Sequence, residues 1–300
     1  MVENLKAYSI ENPSVYFLSY FFKLFKGIAR KHKPVLESEL PVFQSEMEIK
    51  RKDRKRWCDF FKIRKSSYPP LSYHIPISSQ AIIEYTKRLN ISYKNILFAC
   101  SDVEILSNEI DEQDSTPVKL KYSYAGAESV NDFSSLARFN SCVLTKNDSR
   151  LFCQTDYVYV KNAKANSSLN DSTAQTIQSM RSRESTLSIK NHSLGNFYVW
   201  KGMGVHFGAI SGDFNLTHIF DTTAKIIGKA KAFIQGLCTL NIVISLFWNH
   251  YSHNISNVKI FYAKPVYHDQ LVHLLCDGEN FELVDADNEL LAFGTIKLRS

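Results

Sequence analysis

The sequence predicts an α+β fold built from two successive units, each a helix followed by antiparallel strands. Strand-like runs cluster after one helical pattern in the first half and recur after another in the second. Between them, residues 162–185 are dominated by Asn, Ser, Lys, Thr, Gln and Arg and read as an exposed polar linker. Two such units would lie side by side, each sheet wrapping a central helix. A hydrophobic content of 44%, with 13% aromatics, suffices for a sizeable core.

Residues 1–41 form an N-terminal segment ending in a linker marked by Pro34 and Pro41. Between Val15 and Ile28, Tyr16, Phe17, Tyr20, Phe21, Leu24 and Phe25 recur on one helical flank, with basic residues such as Lys23 and Lys26 on the other. The preferred reading packs this stripe on its own domain. The alternative lays residues 14–33 on a membrane surface as a peripheral amphipathic helix.

Residues 42–161 make the first unit. Phe43 to Lys50 alternates like a strand, and Lys50 to Lys65 holds nine Lys/Arg residues interleaved with Trp57, Phe60 and Phe61. Such a segment either faces its aromatics to the core and its charges to water, or grips an anionic partner. The core reading is preferred, and no nucleic-acid motif accompanies the charge. Tyr68 to Pro76 is too proline-rich for a helix interior. A helix is expected from Ser78 to Leu89, then strands at 95–106, 118–125, 134–145 and 150–161.

The second unit spans residues 186–300. An extended stretch through Phe197 to Trp200 leads to Ser211-Gly212-Asp213-Phe214-Asn215-Leu216-Thr217-His218. A helical region follows from Thr222 to about Trp248, with an aliphatic run opening at Gly236. Strands are expected at 256–262, 271–276, 281–285 and 290–298.

Composition removes several function classes. No run approaches the ~20 apolar residues a membrane span needs. Met1 to Leu5 lacks the basic-then-apolar order of a secretory signal. The six cysteines lie far apart without a CxxC pair, so they read as reduced, mostly buried thiols. His250 and His253 lack a third ligand, and no metal site is expected. Gly202-x-Gly204 lacks the context of a phosphate loop. A cytoplasmic protein is the expectation.

Chemistry concentrates at 211–218, where Asp213 and His218 set a carboxylate and an imidazole five residues apart. These two are suited to holding one water and to exchanging its protons with a substrate. The side chain of Asn215 is placed to orient the loop or His218. Gly236 opens the aliphatic helix, so its backbone N–H would donate to a developing oxyanion with the helix dipole behind it.

Residues 207–240 resemble the signature of the MaoC-like (R)-specific enoyl hydratase and 3-hydroxyacyl dehydratase family. Phe207-Gly208-Ala209-Ile210 leads into Ser211-Gly212-Asp213-Phe214-Asn215-Leu216-Thr217-His218; Ala224 follows after five residues, and Phe233-Ile234-Gln235-Gly236 opens a helix. Phe261-Tyr262-Ala263-Lys264-Pro265-Val266 is similar to the family's strand after that helix, and Tyr68 to His74 resembles the degenerate N-terminal half of two-domain members. The resemblance covers most of residues 45–300. It implies a double hot-dog fold, two antiparallel sheets each wrapped around a central helix, with the site between the halves. It also implies a cofactor-free hydro-lyase interconverting trans-2-enoyl and (R)-3-hydroxyacyl thioesters of coenzyme A or acyl carrier protein. Asp213 and His218 would be catalytic, with Gly236, Asn215, Ser211 and Gln235 binding substrate or its oxyanion. The first unit would supply the acyl tunnel, and Lys225, Lys229 and Lys231 would attract a phosphorylated carrier. A monomer or a homodimer is expected.

Two departures favour an alternative, a non-catalytic acyl-thioester-binding protein of the same fold. Leu216 and Thr217 stand where the family has Pro and an aliphatic residue. Gln235 replaces a His, and it hydrogen-bonds without ionising.

Overall fold

The computed structural model describes residues 2–4, 40–63, 75–89, 91, 96–107, 115–131, 134–161, 172–251 and 255–299. The helix expected between Val15 and Ile28 and residues 68–74 of the proline-rich run 68–76 lie outside them, whereas Ile75 and Pro76 open a helix, where proline is tolerated in the first turn.

Among the described residues eleven strands form one sheet: β1 (Val2–Asn4), β2 (Val42–Lys50), β3 (Ile96–Ile105), β4 (Ser115–Asn131), β5 (Ser134–Thr145), β6 (Arg150–Lys161), β7 (Ser193–Val199), β8 (Ile255–Tyr262), β9 (Gln270–Asp277), β10 (Asn280–Asp285) and β11 (Leu290–Leu298). Their spatial order is β1-β2-β4-β5-β6-β3-β8-β11-β10-β9-β7. All the pairings are antiparallel except β1 with β2. The helices are α1 (Arg51–Phe61), α2 (Ile75–Arg88), α3 (Ser172–Ser179), α4 (Ile189–His192), α5 (Met203–Ser211), α6 (Asp221–Ile226) and α7 (Gly236–Tyr251). None of the described helices is long and apolar enough to cross a membrane.

The two sheets expected from the halves are joined into one. β3 and β8 pair from Cys100↔Phe261 to Glu104↔Asn257. Two strands that would otherwise present unpaired backbone edges satisfy each other. The strands of the two units thus share backbone hydrogen bonds.

α7 is the most buried helix. Leu240, Ile242, Val243, Ile244, Phe247 and Trp248 are all fully enclosed, on every side of the helix rather than one stripe. Its neighbours include β7, β8 and α1. α2 packs on β2 and β4 in the first unit.

The basic helix α1 takes the packing arrangement. Trp57 and Phe61 are buried, whereas Lys55 and Asp59 form an exposed ion pair. The aromatic face meets the second unit: the Trp57 and Phe61 rings lie 5.8 and 6.2 Å from that of Phe207 in α5, and Phe60 lies 5.1 Å from Trp200. These contacts brace α5, which carries the site segment at its C-terminus.

Two expectations need correction. The helical region from Thr222 to Trp248 is interrupted between α6 and α7. Gly228 adopts φ +79° there, and Phe233 then bridges Tyr267 in an extended pairing. Part of the polar segment 162–185 is folded, not exposed linker. α3 and the turn after it bury Ala174, Ile177 and Met180 beside Leu275, Val284 and Phe293. Next to them, Ser185 Oγ and the Thr186 N–H and hydroxyl donate to the carboxylate of Glu282 at 2.6–3.2 Å. Burying even a few apolar side chains stabilises by about 1.5–3 kcal/mol each, which outweighs the local polarity.

Candidate active site

Residues 211–218 run from the end of α5 past the entrance of α7. Ser211 closes α5, its Oγ donating to the Phe207 carbonyl at 2.7 Å and accepting from the Asp213 N–H at 3.2 Å. Gly212 follows with φ +83°, and its N–H bonds the Gly208 carbonyl at 2.8 Å. This left-handed cap suits glycine and turns the chain toward α7. Ser211 therefore helps to hold the turn.

Asn215 caps a 3-10 turn over Leu216–His218. Its Oδ1 accepts from the Thr217 N–H at 3.2 Å and the Thr217 hydroxyl at 3.0 Å. Thr217, a departure from the family pattern, thus helps hold the loop. The His218 Nδ1 lies 2.8 Å from the Phe233 carbonyl. A carbonyl only accepts, so Nδ1 carries the proton and Nε2 is left as the acceptor. The Phe233 ring stands edge-on to the imidazole, with centroids 4.8 Å apart.

Gln235 ties these parts together. Its buried Nε2 donates to the Gly204 carbonyl at 3.0 Å and the Asp213 carbonyl at 2.9 Å. Two carbonyl acceptors fix the orientation of the amide. The Oε1 is buried, with no partner among the described residues. The residue that replaces the family's His is therefore a positioning group that pins the backbone of Asp213 to the start of α5.

Asp213 and His218 are not hydrogen-bonded to each other among the described residues; Gln235 holds the Asp213 backbone, and the Phe233 carbonyl holds His218. Burial pushes the Asp213 carboxyl up to about 6, against a hydrogen bond from the Asn215 N–H. Burial pushes His218 down to about 4, against its bond to Phe233. Near pH 7 Asp213 is a carboxylate and His218 a neutral imidazole.

Gly236, the first residue of α7, has an N–H among the four that find no acceptor within a helix. The Tyr262 ring sits where a side chain at 236 would point. The Tyr262 hydroxyl donates to Ser101 Oγ at 3.0 Å, and Ser101 donates to Asp156 at 2.6 Å. Gln154 Nε2 reaches the same Asp156 oxygen at 2.6 Å. Burial raises the Asp156 carboxyl to about 6, against the bonds from Ser101 and Gln154. A buried polar chain from the first unit thus ends beside Gly236.

Four features of this site were missed by reading the sequence. Gly204 and Gly208 sit one turn apart on α5. A Cβ at 204 would overlap the His218 carbonyl, and one at 208 would crowd Phe214 and the Asp213 carbonyl. The Gly202-x-Gly204 pattern signals the first only as a weak loop motif, and Gly208 appears in the signature without its packing role. Tyr262 is visible in the strand but gives no hint of its partners. His268 is buried, and its Nε2 has no partner among the described residues. Burial lowers its pKa; Asp269 opposes that, and neighbouring His218 and Lys231 add to it. Of the three lysines expected to attract a carrier, Lys225 is exposed on α6. Lys231 instead donates to the His268 carbonyl at 3.1 Å.

No protein-family model and no curated protein sequence matches the chain. Solved structures do. A MaoC-like dehydratase from Phytophthora capsici superposes with TM-score 0.63 at 10% identity, over 89% of this chain and 100% of that one. HtdX of Mycobacterium tuberculosis gives TM-score 0.65 at 12% identity, over 86% of this chain and 99% of that one. The peroxisomal multifunctional enzyme type 2 of Drosophila melanogaster gives 0.58 at 14% identity, over 85% of this chain and 48% of that one. The chain has the α+β hot-dog fold that these proteins share.

Proposed function

We propose that the chain is a hydro-lyase that adds water to trans-2-enoyl thioesters and removes it from (R)-3-hydroxyacyl thioesters. The observation that carries this reading is one short segment that holds a half-buried carboxylate, Asp213, and a buried neutral His218 whose Nε2 is left as an acceptor. A water molecule needs an acceptor for each hydrogen, and a carboxylate and a neutral imidazole supply both. The fold shared with MaoC-like dehydratases supports the same reading.

In hydration, Asp213 takes a proton as the water oxygen bonds to C3. The C2–C3 π electrons shift toward the thioester carbonyl, forming an enolate. The Gly236 N–H and the dipole of α7 stabilise that charge. The enolate then collapses, and C2 takes the proton from Asp213. In dehydration Asp213 removes the C2 proton and returns it to the departing hydroxyl. The resting base is a carboxylate in both directions. Coenzyme A or acyl carrier protein would be the carrier, with exposed Lys225 on the approach, and no cofactor takes part in these steps.

The sign of the pH dependence follows. Activity needs Asp213 ionised and His218 neutral, so kcat/KM falls as pH drops through about 6, the higher of the two values. The test follows loss of the conjugated enoyl absorbance over a series of acyl chain lengths and pH values. Turnover with an acid limb near pH 6 is the expected result. Thioester binding without turnover at any chain length would leave the chain a non-catalytic binder, the role its Gln235 would suit.

A further inference from the structure

The pairing of β5 with β6 places Cys142 directly opposite Cys153. A continuous cross-strand row runs Gln44, Lys121, Cys142, Cys153, Glu104, Asn257 through β2, β4, β5, β6, β3 and β8. The next row is apolar, with Leu120, Val143 and Phe152 in the core. Alternation along each strand therefore puts the cysteines on the polar face, between a lysine and a glutamate. Both thiols are half-buried, unlike the enclosed Cys100 and Cys238. They are hydrogen-bonded to each other.

We propose that Cys142 and Cys153 form a peroxide-sensitive dithiol that closes reversibly into a cross-strand disulfide linking β5 to β6. Residues directly opposite in an antiparallel pair have Cα atoms about 4.5–5.5 Å apart, inside the range a disulfide accepts. Their Cβ atoms, at about 4.5–5.5 Å, must close by roughly 1 Å to reach disulfide spacing. That closure strains the bond and makes it reducible. The pairing register shifts between Val143 and Leu144, one residue away, and such a bulge gives the strand local freedom to twist.

The hydrogen bond from Cys153 pulls the Cys142 thiol down to about 7 against its burial, helped by Arg150 and Lys121, while Cys153 is raised. Cys142 is therefore the attacking thiolate. Its sulfur attacks one peroxide oxygen, the O–O bond breaks, and hydroxide leaves, giving a sulfenic acid. Cys153 attacks that sulfur, the S–S bond forms, and hydroxide leaves again. Overall two thiols are oxidised, one hydrogen peroxide is reduced, and two waters form. A thiol reductant reverses the link.

The experiment treats the reduced full-length chain with graded hydrogen peroxide, then alkylates and digests it for mass spectrometry. The expected result is a linked Cys142–Cys153 peptide pair lighter by two hydrogen atoms, restored by dithiothreitol and absent from Cys142→Ser and Cys153→Ser. A bidentate arsenical should protect both thiols of the untreated protein from alkylation, which tests the pair without any substitution. Separate oxidation of each cysteine to sulfinic acid, without a linked peptide, would overturn the proposal. So would independent alkylation of both thiols in the presence of the arsenical.

Discussion

Asp213→Asn is expected to lose about 10²–10⁴-fold in kcat, the range contributed by a positioned acid–base group, while becoming more stable at alkaline pH. The carboxyl is raised from 3.8 to about 6, so its ionised form is disfavoured by the fold. The stability cost is absent below the unfolded value, grows as pH rises through the folded one, and is complete above it. A shift of this size corresponds to about 3 kcal/mol. Asp213 is only half-buried, and solvent screening reduces the gain from Asn to roughly 1–3 kcal/mol. Thermal unfolding of both proteins at pH 8 and pH 4 checks this: the variant melts higher at pH 8, and the gap narrows at pH 4. A variant that loses activity and stability together would make Asp213 a structural residue.

Gly204→Ala is expected to be damaging at both levels. The new Cβ falls on the His218 carbonyl, a backbone atom that cannot rotate away. Either α5 moves off the site segment or the 3-10 turn shifts, and overpacking of this kind costs about 1–3 kcal/mol. The Gln235 bond to the Gly204 carbonyl is strained by either movement. Because that amide also holds Asp213, displacement reaches the base, where about 1 Å of misplacement costs on the order of 10²-fold in rate. The check is kcat with melting temperature. Wild-type values for both would remove α5 from the account of how the site is held.

Much of the fold was legible because β-strands advertise themselves by alternation. The predicted boundaries of β5 and β6 coincide with those observed, and Gly236 marks the true start of α7. The turn that Asn215 caps over Leu216–His218 lies within the short segment the sequence singles out, because its hydrogen bonds are local. The unread parts depend on long-range contact: Tyr262 meets Ser101 across 161 residues, and the β3–β8 join depends on which edges meet. The segment 162–185 misled for another reason. Ala174, Ile177 and Met180 recur at helical spacing, but so few apolar residues among so many polar ones read as solvent-exposed chain. Glu282, distant in sequence, holds down the residues that follow them.

The most direct test of the central claim is where the oxygen of water ends up. An enoyl thioester incubated with the protein in oxygen-labelled water should carry the label on the C3 hydroxyl, with the thioester intact and the (R) configuration at C3. Label in a released carboxylate, with the C2–C3 double bond untouched, would contradict the hydro-lyase account and point to thioester hydrolysis instead.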